Sequence, residues 1–219
     1  MTTAEVKSNL NTFAAGDVVA YVALPNIVTS GVPVGFEDLR TLTPANSWRC
    51  LGWLDVSGYI FKNDETTKDI GAAGTLSSIR TVLTGGMKSG QITALEALNP
   101  YVRSLYDDVP VFPVASSPLK PATATLIASY IIPDPPADNR YSMVFDAIDG
   151  TKKMRLFAPN VKCTARGDDQ VQQADVEALQ FTFSFYPGVI NQTGGPVTGV
   201  AKRYINFTGS NVTVANYFT

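Results

Sequence analysis

The run "ALQFTFSFY", residues 178–186, limits the possible folds more than any other stretch of this chain. Leu179, Phe181, Phe183 and Phe185 alternate with Gln180, Thr182, Ser184 and Tyr186. Neighbouring side chains on a strand point to opposite faces, so four repeats of period two specify a strand with one face in a core. The other face meets something polar. A second strong signal is "YSMVFDAIDGTKKMRLFA", which reads as a hairpin: Tyr141, Met143 and Phe145 alternate, and Asp149-Gly150 supplies the positive φ angles of a two-residue turn. "GDVVAYVAL" (16–24), "TATLIASYII" (123–132) and "VKCTA" (161–165) are strand-like through their β-branched and aromatic residues. "WRCLGWLDVSGYIF" (48–61) suits one or two short strands around a glycine bend.

Against this background "SGQITALEALNPYVRSLY" (89–106) is either a helix broken by a proline or a strand running into a short helix. Asn99 is a good N-cap and Pro100 fits the first helical position. Tyr101 and Leu105 then share one face, as do Val102 and Tyr106. Such a helix, about two turns long, is unstable alone and must dock that face on a sheet. The mostly β context favours the strand-to-helix reading. The expected class is mainly β with one short helix.

Composition narrows function. The 219 residues carry a net charge of -2, without the basic excess that phosphate binding usually demands. There is no histidine, which removes the commonest general base and metal ligand. Cys50 and Cys163 have neither zinc nor redox-motif spacing and read as buried thiols. The adjacent acids Asp107-Asp108 and Asp168-Asp169 read as solvated turn residues, and Arg166–Asp168, an RGD triplet, as part of a hairpin turn. "NDETTKD" lacks the acid spacing of a calcium loop. An acid/base enzyme built on these carboxylates is disfavoured, and no cofactor or metal is expected. Neither a signal peptide nor an apolar run of membrane-spanning length is visible, so folding in a cytoplasm is expected and no membrane partner. The sequons at Asn191, Asn206 and Asn211 then read as Thr- and Asn-rich extended segments. "KNDETTKDIGAAG" reads as a mobile loop, and "TLSSIRTVLTGGMKSG" as an extended segment broken at Gly85-Gly86. The Gly-, Thr- and Asn-rich tail reads as an arm that orders on a neighbour.

Taken in order, "GDVVAYVAL", "WRCLGWLDVSGYIF", "SIRTVLTGGMKSGQITALEALNPYVRSLY", "MRLFAPNVKCTARGDDQ" and "VEALQFTFSFYPG" form a series. Over residues 16–188 it resembles the major tail proteins (tail tube proteins) of long-tailed, non-contractile bacteriophages, particularly those of actinobacterial hosts. The resemblance implies a β-sandwich or half-barrel domain over 16–188 with one short flanking α-helix, between arms at 1–15 and 189–219. It also implies hexameric rings, with the short helix on the outer flank, stacked into a tube that conducts DNA without sequence-specific binding. The loop at 61–78 would order against a neighbouring subunit or ring, giving Lys62, Asp64, Glu65, Lys68, Asp69 and Ile70 as interface candidates. The implied partners are further copies of the chain and the tail initiator or baseplate, tape-measure and terminator proteins. The setting is a virion assembled in the bacterial cytoplasm. Alternatives are a tail terminator, the inner tube of a contractile system, or a carbohydrate-binding β-sandwich module.

Overall fold

The computed structural model describes residues 13–25, 33, 35–39, 48–71, 80–110, 117, 119–120, 127–134, 138–171, 176–192, 195–206 and 208. Among them the chain is mainly antiparallel β with one short helix, as the patterning implies. The strands are β1 (Asp17–Ala23), β2 (Arg49–Cys50), β3 (Leu54–Ile70), β4 (Arg80–Ala94), β5 (Tyr141–Asp149), β6 (Lys152–Arg166), β7 (Leu179–Phe185), β8 (Gly188–Gln192), β9 (Gly195–Gly199) and β10 (Lys202–Asn206). The helix α1 spans Pro100–Asp107. The main sheet runs β2-β1-β5-β6-β7-β4-β3, with β10 also paired to β6, and β8 pairs with β9 apart from it.

The sheet rolls around the aromatic stripe of β7. Leu179, Phe181 and Phe183 are fully buried and Phe185 nearly so. They pack with Ile92, Ala94, Met143, Phe145, Leu156 and Val161 in the principal core. Phe181 stacks on Phe183 at 6.0 Å, and Phe145 on Phe185 at 6.4 Å. Rolling brings β3 back over the far strands: the Tyr59 ring lies 5.3 Å from that of Phe145. Gly58, at φ +64°, makes this possible, because a Cβ there would stand 3.2 Å from Val18 Cγ2. On the outer face of β1, β5 and β6, Leu39, Trp48 and Ile190 pack with Ala23, Val144 and Phe157 in a separate cluster.

β6 is the strand that divides the sheet. One edge pairs with β5 over Lys152–Val161, while the other pairs with β10 over Lys153–Phe157 and with β7 over Val161–Arg166. Pro159, which has no N–H to donate, sits at the register shift between these two halves. The carbonyl of Pro159 accepts the Ser142 hydroxyl at 2.7 Å, and that of Asn160 accepts the Tyr186 N–H at 2.8 Å.

The stretch 89–106 is a strand followed by a helix. β4 ends at Ala94, and Asn99 caps α1 by accepting the Tyr101 N–H at 3.0 Å. Val102 and Leu105 are fully buried, Tyr101 and Tyr106 are half-buried against the core, and the Tyr106 hydroxyl donates to the Gly167 carbonyl. Arg103 ties the β6–β7 connection to the helix through Asp169, at 2.9 Å, and Glu177.

Several expectations are corrected. The β5–β6 turn consists of Gly150-Thr151 rather than Asp149-Gly150, since Asp149 pairs with Lys152 and positive φ falls on Gly150. "VKCTA" is the end of β6, continuous with the hairpin strand. Residues 127–132 are not in a strand, and Ile127, Ile131 and Ile132 are exposed; β propensity by itself does not form a ladder. Within the expected arm at 189–219, β8 and β9 form a hairpin and β10 joins the chain's own sheet. Residues 1–12, 123–126 and 209–219, which hold most of the expected N-terminal arm, the start of the 123–132 segment and the Asn211 sequon, lie outside the described residues.

Replacing Phe183 by Ala removes a fully buried ring from this stripe and is expected to destabilise the fold by about 3–5 kcal/mol. Asn99→Ala, which removes one capping acceptor, is expected to cost about 1 kcal/mol. Urea midpoints of the two variants against the parent chain check this ordering.

Candidate functional site

The stretch expected to be a mobile loop is a strand over its described part. β3 runs to Ile70 and pairs with β4 through Ile70↔Arg80, so 61–70 is one arm of a hairpin; residues 72–78 lie outside the described residues. Nor does Gly85-Gly86 break β4: the ladder passes through Glu65↔Gly86 and Thr66↔Gly85, with a register shift before Thr67↔Leu83. Alternate residues of β3 bond their backbone groups to facing residues of β4, a partner that composition alone does not reveal.

β7 accompanies β4 only over Lys88–Ala94. Beyond Phe185 the β3–β4 pair continues without it. Asn63–Ile70 and Arg80–Met87 therefore form a two-stranded arm in which every residue but Val82 is exposed. No described strand pairs with the outer edge of β3 or with the other edge of β4 along the arm. A lone two-stranded hairpin is marginal in water.

Facing residues share a face, and faces alternate along a strand. One face of the arm continues from the core residue Phe61 and carries Asn63, Glu65, Thr67 and Asp69 with Lys88, Leu83 and Thr81. It is internally satisfied: Lys88 donates to Asn63 at 2.7 Å, Asn63 to Glu65 at 2.8 Å, and Thr81 to Asp69 at 2.5 Å. The other face continues from Ile60 and carries Lys62, Asp64, Lys68 and Ile70 with Met87, Val82 and Arg80. Ile70, Met87 and Leu83 are each about half exposed. Of the six candidate interface residues, Lys62, Asp64, Lys68 and Ile70 thus lie together on the second face, and Glu65 and Asp69 on the first. The β4 half of the arm, Arg80, Val82, Leu83 and Met87, was missed because "TVLTGGM" reads as an ordinary interrupted strand.

The remaining outer face of β7 and β4 presents Gln180, Thr182, Gln91 and Thr93, with Thr164 of β6 beside them. It is hydroxyl- and amide-rich, and Lys162 at its margin is paired with Asp138 at 2.9 Å.

The titratable groups are mostly structural. Asp107 and Asp108 are buried, not solvated: Asp107 accepts the Tyr130 hydroxyl at 2.6 Å, and Asp108, at φ 56° after the helix, accepts Asn139 at 3.0 Å. Burial and the Asp107 carboxylate push the Tyr130 phenol up to about 12. Asp169 is held below the ordinary carboxylate range by its hydrogen bond from Arg103. Arg166 donates to the Leu105 carbonyl at 3.0 Å, so the RGD triplet begins on the structural end of β6. Arg155, nearly fully buried, grips Asp146 and the carbonyls of Gly35 and Glu37, holding that loop on the sheet. Cys163 is buried, but Cys50 is exposed, contrary to expectation; it ends β2, a two-residue strand at the edge of the sheet. Among the described residues no helix is long and apolar enough to cross a membrane.

No known family model matches this chain, and no curated protein matches it.

Burial pushes the Cys163 thiol up to about 11, whereas Cys50 is open to solvent. A thiol titration of the native protein is expected to find one reactive cysteine per chain, to find none after Cys50→Ser, and to release the second on unfolding.

Proposed function

We propose that this chain is a structural, non-enzymatic subunit of the tail tube of a long-tailed, non-contractile bacteriophage. Copies close into hexameric rings, and the rings stack into a tube through which DNA leaves the virion. The observation that carries this reading is the arm of β3 and β4, a two-stranded projection with exposed faces and with edges that no described strand pairs. Such edges invite further strand pairing, and a protein that keeps one long and exposed needs a partner for it. A subunit that is always covered by copies of itself meets that need, and ring closure leaves no edge open. The series of motifs from "GDVVAYVAL" to "VEALQFTFSFYPG" adds the family resemblance.

The charge distribution suits a conduit. Cationic contacts to phosphates release counterions and bind DNA, so a wall meant for transit is better made of neutral groups. The face built from Gln91, Thr93, Thr164, Gln180 and Thr182 has that character. The implied partners remain the initiator or baseplate, the tape-measure and the terminator, with assembly in the bacterial cytoplasm.

Negative-stain microscopy of the concentrated protein, with and without initiator complex, tests the reading. Hollow tubes of uniform diameter are the expected outcome. Single rings that never stack would point to a terminator instead. Compact monomers under both conditions would overturn the proposal, and binding of those monomers to immobilised glycans would favour a carbohydrate-binding module.

A further inference from the structure

Past Phe185 the rolled sheet has an opening. β7 lies between β6 and β4 as far as the pairs Val161↔Phe185 and Lys88↔Phe185, and it ends there. On the other side of Pro159 its place beside β6 is taken by β10, which pairs with β6 but, among the described strands, not with β4. Between β10 and the root of the β3–β4 hairpin lies a cleft of about 370 Å³, lined by Phe61, Lys88, Leu156, Val200, Ala201 and Arg203.

Register decides what faces into it. Arg203 pairs with Leu156, a buried residue of the principal core, and facing residues share one side of a sheet, so Arg203 points inward. Lys88 pairs with Phe185 and with Asn63, on the face that continues from Phe61, and points inward as well. The Arg203 guanidinium stands 5.6 Å and the Lys88 ammonium 5.9 Å from the centre of the Phe61 ring. Arg103, Arg155 and Arg166 each face a carboxylate, at 2.9, 2.7 and 3.7 Å. Among the described residues no carboxylate pairs with Lys88 or Arg203. Lys88 gives one N–H to Asn63, at 2.7 Å, and has others to spare; Arg203 keeps its N–H edge for an acceptor. Two cations from strands with no ladder between them therefore converge on an apolar floor.

We infer that this cleft binds a small organic anion, an aryl or short alkyl acid. Its charged head lies between Lys88 and Arg203, and its apolar body covers Phe61, Leu156, Val200 and Ala201. The volume is at the lower end of the range of small-molecule sites, which suits a single ring system or a short chain. Charge-assisted hydrogen bonds hold the head, and burial of the body adds affinity. A nucleic-acid backbone would bring phosphates without an apolar body and leave the floor bare. The ligand joins β4 to β10, so occupancy stabilises the folded chain by mass action. The site requires nothing of the assembly reading and stands or falls separately from it.

Fluorescence titration of the dispersed full-length protein with anilinonaphthalene sulfonate, an aryl sulfonate, tests the assignment. Saturable binding is expected, displaced by phenyl phosphate but not by phenol or inorganic phosphate at the same concentration. Arg203→Gln and Lys88→Gln are each expected to weaken binding about tenfold or more. Arg140→Gln, a cation over Tyr186 and outside the cleft, is expected to leave it unchanged. Saturating phenyl phosphate is expected to raise the urea midpoint of the parent chain and not that of Lys88→Gln/Arg203→Gln. Arg203 is exposed and makes no ion pair among the described residues, so without ligand the Arg203→Gln midpoint stays near the parent's. Absence of saturable binding, or binding that persists in the double variant, would overturn the site. Displacement by phenol or by inorganic phosphate as effective as that by phenyl phosphate would overturn the assigned ligand class.

Discussion

The aromatic stripe of β7 ends at Phe185, and the packed part of the molecule ends with it. Up to that point each turn of the rolled sheet is anchored by a ring: Phe181 and Phe183 on each other, Phe185 on Phe145 and Phe61, and Tyr59 on Phe145. Gly90 of β4, where a Cβ would stand 2.8 Å from the Phe185 ring, leaves room for that ring in the same layer. β4 is longer than the strand that supports it, and the excess length becomes the arm. Strand-length mismatch therefore converts a core feature into a surface feature.

The division of β6 follows from the same layer. At Pro159 and Asn160 the sheet changes partners, with β7 on one side of the shift and β10 on the other. β4 leaves the end of β7 with Lys88 and Phe61 of the hairpin facing Arg203 of β10, whose guanidinium lies 5.6 Å from the Phe61 ring. The C-terminal strand thus closes the sheet where the arm departs from it, and the helix α1 closes the opposite end through Val102 and Leu105. A body closed at one end by a helix and extended at the other by two strands has a direction, and direction is what a stacked assembly requires of its subunit.

The sequence was legible where structure is decided by neighbours a few residues apart. The period of β7, the Asn99-Pro100 start of α1 and the β-branched run of β1 are local signals, and each stands where expected. It misled where the deciding partner is distant. "KNDETTKDI" has a loop's composition, yet β4 supplies its ladder; "YII" at 130–132 has a strand's composition, yet no described strand pairs with it. β10 is held by a strand some fifty residues earlier, so its membership in the sheet left no local trace. Asp107 and Asp108 resemble a solvated turn, because Asn139 and Tyr130, which bury them, come from another part of the chain. For the site, the β3 half of the arm stood out by its charges, whereas Arg80, Val82, Leu83 and Met87 were hidden in an unremarkable strand pattern.

The central claim is that the arm is a chain-to-chain surface rather than an ornament of the monomer. Hydrogen exchange followed by mass spectrometry, at protein concentrations spanning the onset of assembly, tests it most directly. The amides of 63–70 and 80–87 are expected to exchange rapidly in dilute protein and to become protected as assembly proceeds, while those of β7 stay protected throughout. Arm amides whose exchange is the same in dispersed and assembled protein would contradict the account.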